Sequence, residues 1–298
     1  MVSQADSAET DSAETGSAKA DSAEAGSAEA DGARRPVRTS VWLEGKPAAR
    51  GRRGAADEGR ASEQPQAHTT TGLDRERITA TTVRMLDADG PEKFSMRRLA
   101  AELSVTAMSL YWYVDTKDDL LELALDEVFG EVRSPDLTDD EADWRDQLRE
   151  LATSYRAVLV RHPWVSPLIG KYLNIGPHSM AFSAAVQAVM NRTGLAPGNR
   201  MSGLAAVFQF VYGFGTIEGH FVQRCSDAGL SQDEYFRLAM GTVREQPEYH
   251  GTFENADKLM AARGGDTVEE MRDRDFTFAL ELIITGIETM RDRDASRG

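Results

Sequence analysis

Arg97, Arg98, Tyr111, Tyr113 and Lys117 fall within one short stretch, Phe94–Lys117, with Thr106 and Ser109 between them. Guanidinium, phenol, hydroxyl and ammonium groups are the donors that nucleic acids meet: an arginine can fork onto a guanine, while tyrosine and lysine donate to phosphates. Met96, Arg97 and Arg98 open one predicted helix, and Thr106, Ala107, Met108 and Ser109 open a second. Small residues at the second tip would let a helix approach base edges closely. The same charges would equally suit a solvated helix face, so the donors alone leave both readings open.

What must position these donors is a pair of helices. Ser95 and Thr106 are hydroxyl N-caps, each able to accept from the free N–H groups of a first turn. The first cap starts a helix over Met96–Leu103 with Leu99, Ala100 and Leu103 on one face. The second starts a very short helix, Ala107–Tyr113, that turns Leu110 and Val114 inward. Only Ser104 and Val105 separate Leu103 from the second cap, so the helices must cross steeply, with Val105 as the plug. That is a helix-turn-helix, whose second helix lies in the DNA major groove.

The rest of the chain reads as helices. Leu73–Asp89 places Ile78, Thr82, Met85 and Leu86 on one face and is stopped by Gly90-Pro91, supplying a third helix for the head. Thr116 caps a long helix from Lys117 to about Phe129 or Val132. Trp144, Leu148, Leu151, Tyr155, Val158 and Leu159 mark an amphipathic helix ended by His162-Pro163. Further helices are expected over Met180–Met190, Asn199–Arg224, Asp233–Arg244 and Asp273–Arg291, with a mobile stretch around Pro247, Gly251, Gly264 and Gly265. No strand is signalled.

The chain has 298 residues and a formal charge of −15, which would argue against a nucleic-acid partner if it were evenly spread. It is not. Residues 1–33 are a degenerate Asp-Ser-Ala-Glu-Thr repeat with net charge −7, too poor in apolar groups to order. A translation start placed too far upstream would also account for it. Residues 34–60 reverse the sign with eight basic groups and a net +5, either a tether to the acidic tract or an arm that follows DNA. Val41-Trp-Leu is out of character in such a linker. The single cysteine, Cys225, rules out an internal disulfide. No run approaches the roughly 18 apolar residues that would span a bilayer, and no signal core opens the chain, so a cytoplasmic location without membrane contact is expected.

Leu99-Ala-Ala-Glu-Leu, Leu110-Tyr-Trp-Tyr-Val and Lys117-Asp-Asp-Leu-Leu together resemble the DNA-binding domain of the tetracycline-repressor (TetR) family of transcription regulators. Phe278-Ala-Leu-Glu-Leu-Ile-Ile-Thr-Gly-Ile-Glu is similar to that family's last helix, which packs against a partner subunit. Ser104 stands where the family usually has a glycine to accept a left-handed turn. The resemblance implies an all-α protein in three parts: a disordered extension over 1–72, a helix-turn-helix head over 73–119 and a ligand-binding and dimerisation body over 120–292. It implies a homodimer on a double-stranded, palindromic operator, released by a small-molecule effector. A helical small-molecule-binding protein or enzyme that has lost operator binding is the competing class.

Candidate effector contacts are the aromatics of the body, Trp164, Tyr172, Phe182, Phe208, Phe210, Tyr212 and Phe214, with Glu218. As a set they would suit a large, flat, apolar ligand with a few polar groups. Phe276, Leu280, Ile283, Ile284 and Ile287 give the last helix more apolar surface than one small body should need and are the candidate dimer contacts. No metal or other cofactor is expected: His162 and His220 are isolated, and Leu168 stands where magnesium-dependent members of the family place a histidine ligand. No phosphate-binding loop, Gly-x-Ser-x-Gly elbow or His-Glu-x-x-His signals an enzyme. The acids of Asp118-Asp119 and Asp139-Asp140-Glu141 fall at helix starts, where they complement the dipole.

Overall fold

The computed structural model describes residues 39–44, 73–139, 141–249 and 262–296, and among these every regular element is a helix. The acidic repeat, residues 34–38 and 45–72 of the extension, Asp140 and the stretch around Gly251 lie outside the described residues. The helices are α1 (Val41–Glu44), α2 (Arg75–Lys93), α3 (Met96–Glu102), α4 (Ala107–Leu110), α5 (Lys117–Phe129), α6 (Trp144–Arg161), α7 (Val165–Ile169), α8 (Pro177–Arg192), α9 (Pro197–Asp227), α10 (Gln232–Arg244) and α11 (Val268–Ala295). A 3₁₀ turn, Pro247–Tyr249, follows α10.

Side-chain caps set most starts. Asp74, Ser95, Thr106, Thr116, Asp143, Ser231 and Thr267 each accept from a backbone N–H of the first turn. Thr116 and Asp119 form a reciprocal capping box that pins the start of α5. Gly90, at φ +75°, breaks α2 just before Pro91, as the Gly-Pro pair predicts. In the head, Ile78, Leu86, Leu99, Leu110 and Val114 converge with Leu120 in one core.

The body is built on the contact of α6 with α9. Gly215 and Gly219, one turn apart on α9, let it lie directly on α6. A Cβ on Gly219 would meet the Leu159 carbonyl oxygen at 2.7 Å, and one on Gly215 would meet the Leu159 side chain at 3.0 Å. Leu148, Leu151 and Leu159 of α6 fill the centre, with Val186 and Val189 of α8 and Val207 and Val211 of α9.

Two expectations are corrected, for the extension and for the last helix. The extension is not uniformly disordered over 1–72: Ser40 and Val41 are buried, and Val41–Glu44 forms a helical turn. The boundary expected at 119/120 falls within α5, which runs unbroken from the head core into the body as a connecting helix. On α11, Phe276, Leu280, Ile284 and Ile287 are buried within a single protomer, and Ile283 packs beside them. The period of apolar residues on that helix marks the protomer's own core. Its exposed side is Phe278, Leu282, Thr285, Gly286 and Thr289. No described helix is long and apolar enough to cross a membrane.

Candidate nucleic-acid interface and the junction behind it

The head turns between α3 and α4 at Ser104, whose φ of +56° puts a non-glycine residue in the left-handed region the turn requires. Val105 fills the corner, half-buried against the core. Thr106 caps α4 by accepting from the Ser109 N–H at 3.3 Å, and its hydroxyl lies 2.9 Å from that of Ser109. The inward anchor, Leu110, is fully buried, so the opposite face of this one-turn helix is presented to solvent.

The ten predicted DNA contacts divide by what they touch. Arg97, Arg98, Thr106, Met108 and Tyr111 are exposed, while Met96 and Ala107 are half-buried against the core and Ser109 is half-buried beside its cap. Arg98 is already engaged, by Asp89 and by the Lys93 carbonyl oxygen at 2.9 Å. Tyr113 donates to the Leu73 carbonyl oxygen at 2.5 Å, bracing the head. Lys117 donates to the carbonyl oxygens of Pro91 and Phe94 at 3.0 and 2.9 Å, which leaves one ammonium proton for an outside acceptor. Arg97 forms no hydrogen bond or ion pair among the described residues. Sequence reasoning missed Trp112, which is 75% exposed beside Met108 at 71%. In the sequence it stands only within the Leu110-Tyr-Trp-Tyr-Val run that carries the family resemblance, yet it lies two positions from the buried Leu110, on the far side of the turn.

Behind the head, two polar clusters tie it to the body. Asp87 of α2 accepts from the Trp164 indole at 2.6 Å and lies 2.6 Å from His162 Nδ1, whose Nε2 is 3.2 Å from Glu131. At the start of α5, Asp118 accepts from the Tyr172 hydroxyl at 2.7 Å and from Lys171 at 3.2 Å. The Tyr172 hydrogen bond holds Asp118 below the usual carboxylate range despite partial burial. Trp164 and Tyr172, two of the expected effector contacts, make these hydrogen bonds at the junction.

His162 adds a pH dependence. Burial works against its charged form, but Asp87 and Glu131 outweigh that and raise its pKa. The stabilisation is thus complete below the unfolded histidine value of about 6.5 and is lost as pH climbs through the raised folded value. A His162→Gln variant should be less stable by about 1.5–3 kcal/mol at pH 6, the worth of a charge-assisted hydrogen bond. Thermal unfolding should show the gap closing toward alkaline pH, and a gap independent of pH would show an uncharged ring.

The remaining predicted effector residues fall into two groups on opposite faces of α9. Phe182 and Phe208 meet Tyr155 and Phe129, with ring centroids 5.2–6.1 Å apart. Burial pushes the Tyr155 phenol up, and its hydroxyl takes no hydrogen bond from the described residues. Phe210 and Phe214 instead pack on Phe276 of α11. Glu218 borders a cleft of about 270 Å³ with Phe214 and Ile217, but both its oxygens are taken by Arg156 at 2.6 and 2.7 Å. Tyr212 donates to the Ser166 carbonyl oxygen at 2.9 Å.

Comparison with known proteins points the same way at both ends. Residues 78–124 match the family described as bacterial regulatory proteins of the tetR family, and residues 135–291 match the tetracyclin repressor-like C-terminal domain. An HTH-type transcriptional regulator of Saccharopolyspora erythraea is 34% identical over 203 residues, covering 68% of this chain and 81% of that protein. The HTH-type transcriptional repressor DrrR1 of Streptomyces coeruleorubidus is 31% identical over 219 residues, covering 73% and 78%. Among solved structures, the TetR family protein ActR of Streptomyces coelicolor in complex with actinorhodin superposes with a TM-score of 0.55 at 27% identity, over 72% of this chain and 97% of that one.

Proposed function

The chain belongs to the TetR family, and from that membership we propose how its residues carry out ligand-responsive, dimeric repression at a double-stranded operator. The family is regulatory rather than enzymatic. We place the protein in the cytoplasm, where such an operator is found. The single observation carrying the assignment of the DNA surface is the face of α4 and the turn after it. Met108 and Trp112 are large, apolar and exposed, and flank the capped tip of the helix. In this reading Arg97 reads a base edge, Thr106, Ala107, Met108 and Ser109 approach the groove floor, and Tyr111 and Trp112 lie along the backbone. Lys117 offers its remaining proton to a phosphate while Arg98, Tyr113 and Met96 hold the head in shape.

Two protomers paired through the open sides of α9 and α11 would place their α4 helices in major grooves about 34–36 Å apart on a palindrome. The effector wall we assign is Phe129, Tyr155, Phe182 and Phe208, with the Tyr155 hydroxyl as its polar handle. The binding of actinorhodin by the similar ActR supports an aromatic effector here. An effector wedged among α5, α6, α8 and α9 displaces the body end of α5, and the Asp87 and Asp118 clusters carry that displacement to the head. Repression is lifted to the extent that the ligand binds this displaced state better.

The direct test is binding to the duplex upstream of the protein's own gene. Arg97→Ala should weaken it by about 1–3 kcal/mol and relax the preference at one base position. Unchanged affinity and unchanged base preference would remove Arg97 from the interface.

A further inference from the structure

On α5, one carboxylate interrupts a run of apolar side chains. Leu120, Leu121, Leu123, Ala124 and Leu125 are all buried, and so is Glu122 between them. Among the described residues, no arginine or lysine is paired with Glu122. Instead its Oε2 accepts the Ser40 hydroxyl at 2.6 Å and the Val41 N–H at 3.1 Å. The Ser40 oxygen accepts in turn from the Trp42 N–H at 3.2 Å, which closes the local turn. Val41 drops into the core beside this carboxylate. Trp42 spans two bodies of the fold. Its ring lies 5.6 Å from the guanidinium of Arg75, the first residue of α2, and it also borders a small cavity with Tyr172, Asn174 and Gly176 of the segment leading into α8 and Ser179 of that helix's first turn.

A buried carboxylate needs donors, and a helix that carries one among leucines is stable only if they are supplied. The Ser-Val-Trp segment supplies them, from a point in the chain 82 residues upstream of Glu122 in the Ser40 hydrogen bond. Sequence alone marked Val41-Trp-Leu as foreign to a basic linker but gave no reason for it. This slot on α5 is the reason.

We propose that residues 39–44 are a strap: an intramolecular ligand that docks across the junction of head and body and sets the freedom of the head. Docked, it ties α2 to α5 and to the turn before α8, the same elements an effector must move apart. A head already ordered in this way loses less conformational freedom on binding DNA, so the docked strap favours operator binding and its release opposes it. The proposal rests on the operator-binding reading above, and it differs from an arm that touches DNA. A strap alters affinity without neutralising phosphates, so it leaves the salt dependence of binding unchanged.

The test uses the full chain and an uncharged double variant, Val41→Ser with Trp42→Ala, which keeps every basic residue. Hydrogen exchange is followed by mass spectrometry over 39–44, 117–129 and 172–179, and anisotropy titrations with the upstream duplex are run at several salt concentrations. Expected are protected amides at 39–44 in the wild type, faster exchange in all three segments in the variant, and affinity weakened about five- to tenfold with an unchanged salt slope, the low end of allosteric coupling. Unprotected amides at 39–44 in the wild type would overturn the docking. Equal affinities would overturn the regulation, and a shallower slope in the variant would reassign the segment to DNA contact. If the wild type fails to bind the duplex, the operator reading falls. The strap is then judged on exchange alone, supported by loosened 117–129 and 172–179 and overturned by unchanged ones.

Discussion

Ile284→Asp will unfold the body of the protomer instead of separating two folded subunits. Ile284 is 1% exposed in the isolated chain and sits among Phe276, Leu280 and Ile287. An aspartate there would bury a carboxylate among apolar side chains and remove the packing of a full isoleucine side chain. Together these should cost about 4–5 kcal/mol or more, enough to abolish most of the stability of an ordinary domain. The matched control lies on the other side of the same helix. Phe278 and Leu282 are 68% and 59% exposed, so Leu282→Asp should leave a protomer within about 0.5 kcal/mol of its stability while weakening a dimer formed through that side. Thermal unfolding and sedimentation velocity on both variants decide the matter. A folded, monomeric Ile284→Asp protein would restore the interface to the buried stripe and displace the assignment to Phe278 and Leu282.

That contrast shows where sequence reading succeeded and where it did not. Caps and periodicity located the helices well: Ser95, Thr106, Thr116 and Gly90 act as their chemistry requires, and Trp144–Arg161 buries the side chains its spacing predicts. Periodicity identifies an apolar stripe but not what covers it. On α11 the stripe meets α6 and α9 of its own protomer, anchored by Arg145 to Glu288 and by Arg149 to Glu281. Aromatic density misled for a similar reason. Phe208 and Phe210 are neighbours in sequence yet point to opposite sides of α9, so one list became two clusters. Trp164 and Tyr172 carry polar tips, and those tips found carboxylates at the junction. None of the long-range partners, Asp87 with His162 or Ser40 with Glu122, leaves a local signal in the chain. Short elements such as α7, with Pro167 in its first turn, fall below the length at which a period can be read.

Glu218→Leu should be the most damaging single change among the polar residues of the body. Arg156 of α6 is held bidentately by Glu218 of α9, reaches Asp273 of α11 at 2.8 Å, and stacks 5.3 and 4.7 Å from the ring centroids of Phe214 and Phe276. One guanidinium thus joins three helices. Burial opposes its charge, but Glu218 and then Asp273 outweigh that and raise its pKa, so it stays a cation at any ordinary pH. Removing Glu218 leaves that cation in the interior with only Asp273, which is largely solvent-exposed and screened. The expected loss is about 3 kcal/mol, the lower end for breaking a buried pair. For a unit of this size that is a fall in Tm of roughly 6–12 °C. Removing the charge as well should restore most of it: Arg156→Met with Glu218→Leu exchanges a desolvated pair for apolar packing of similar volume, a replacement that is often neutral or stabilising. A double variant as unstable as the single would mean that packing around Glu218, and not the stranded guanidinium, sets the cost. Recovery in the double variant, with the upstream duplex still bound, would identify the pair as a brace of the body that operator binding does not require.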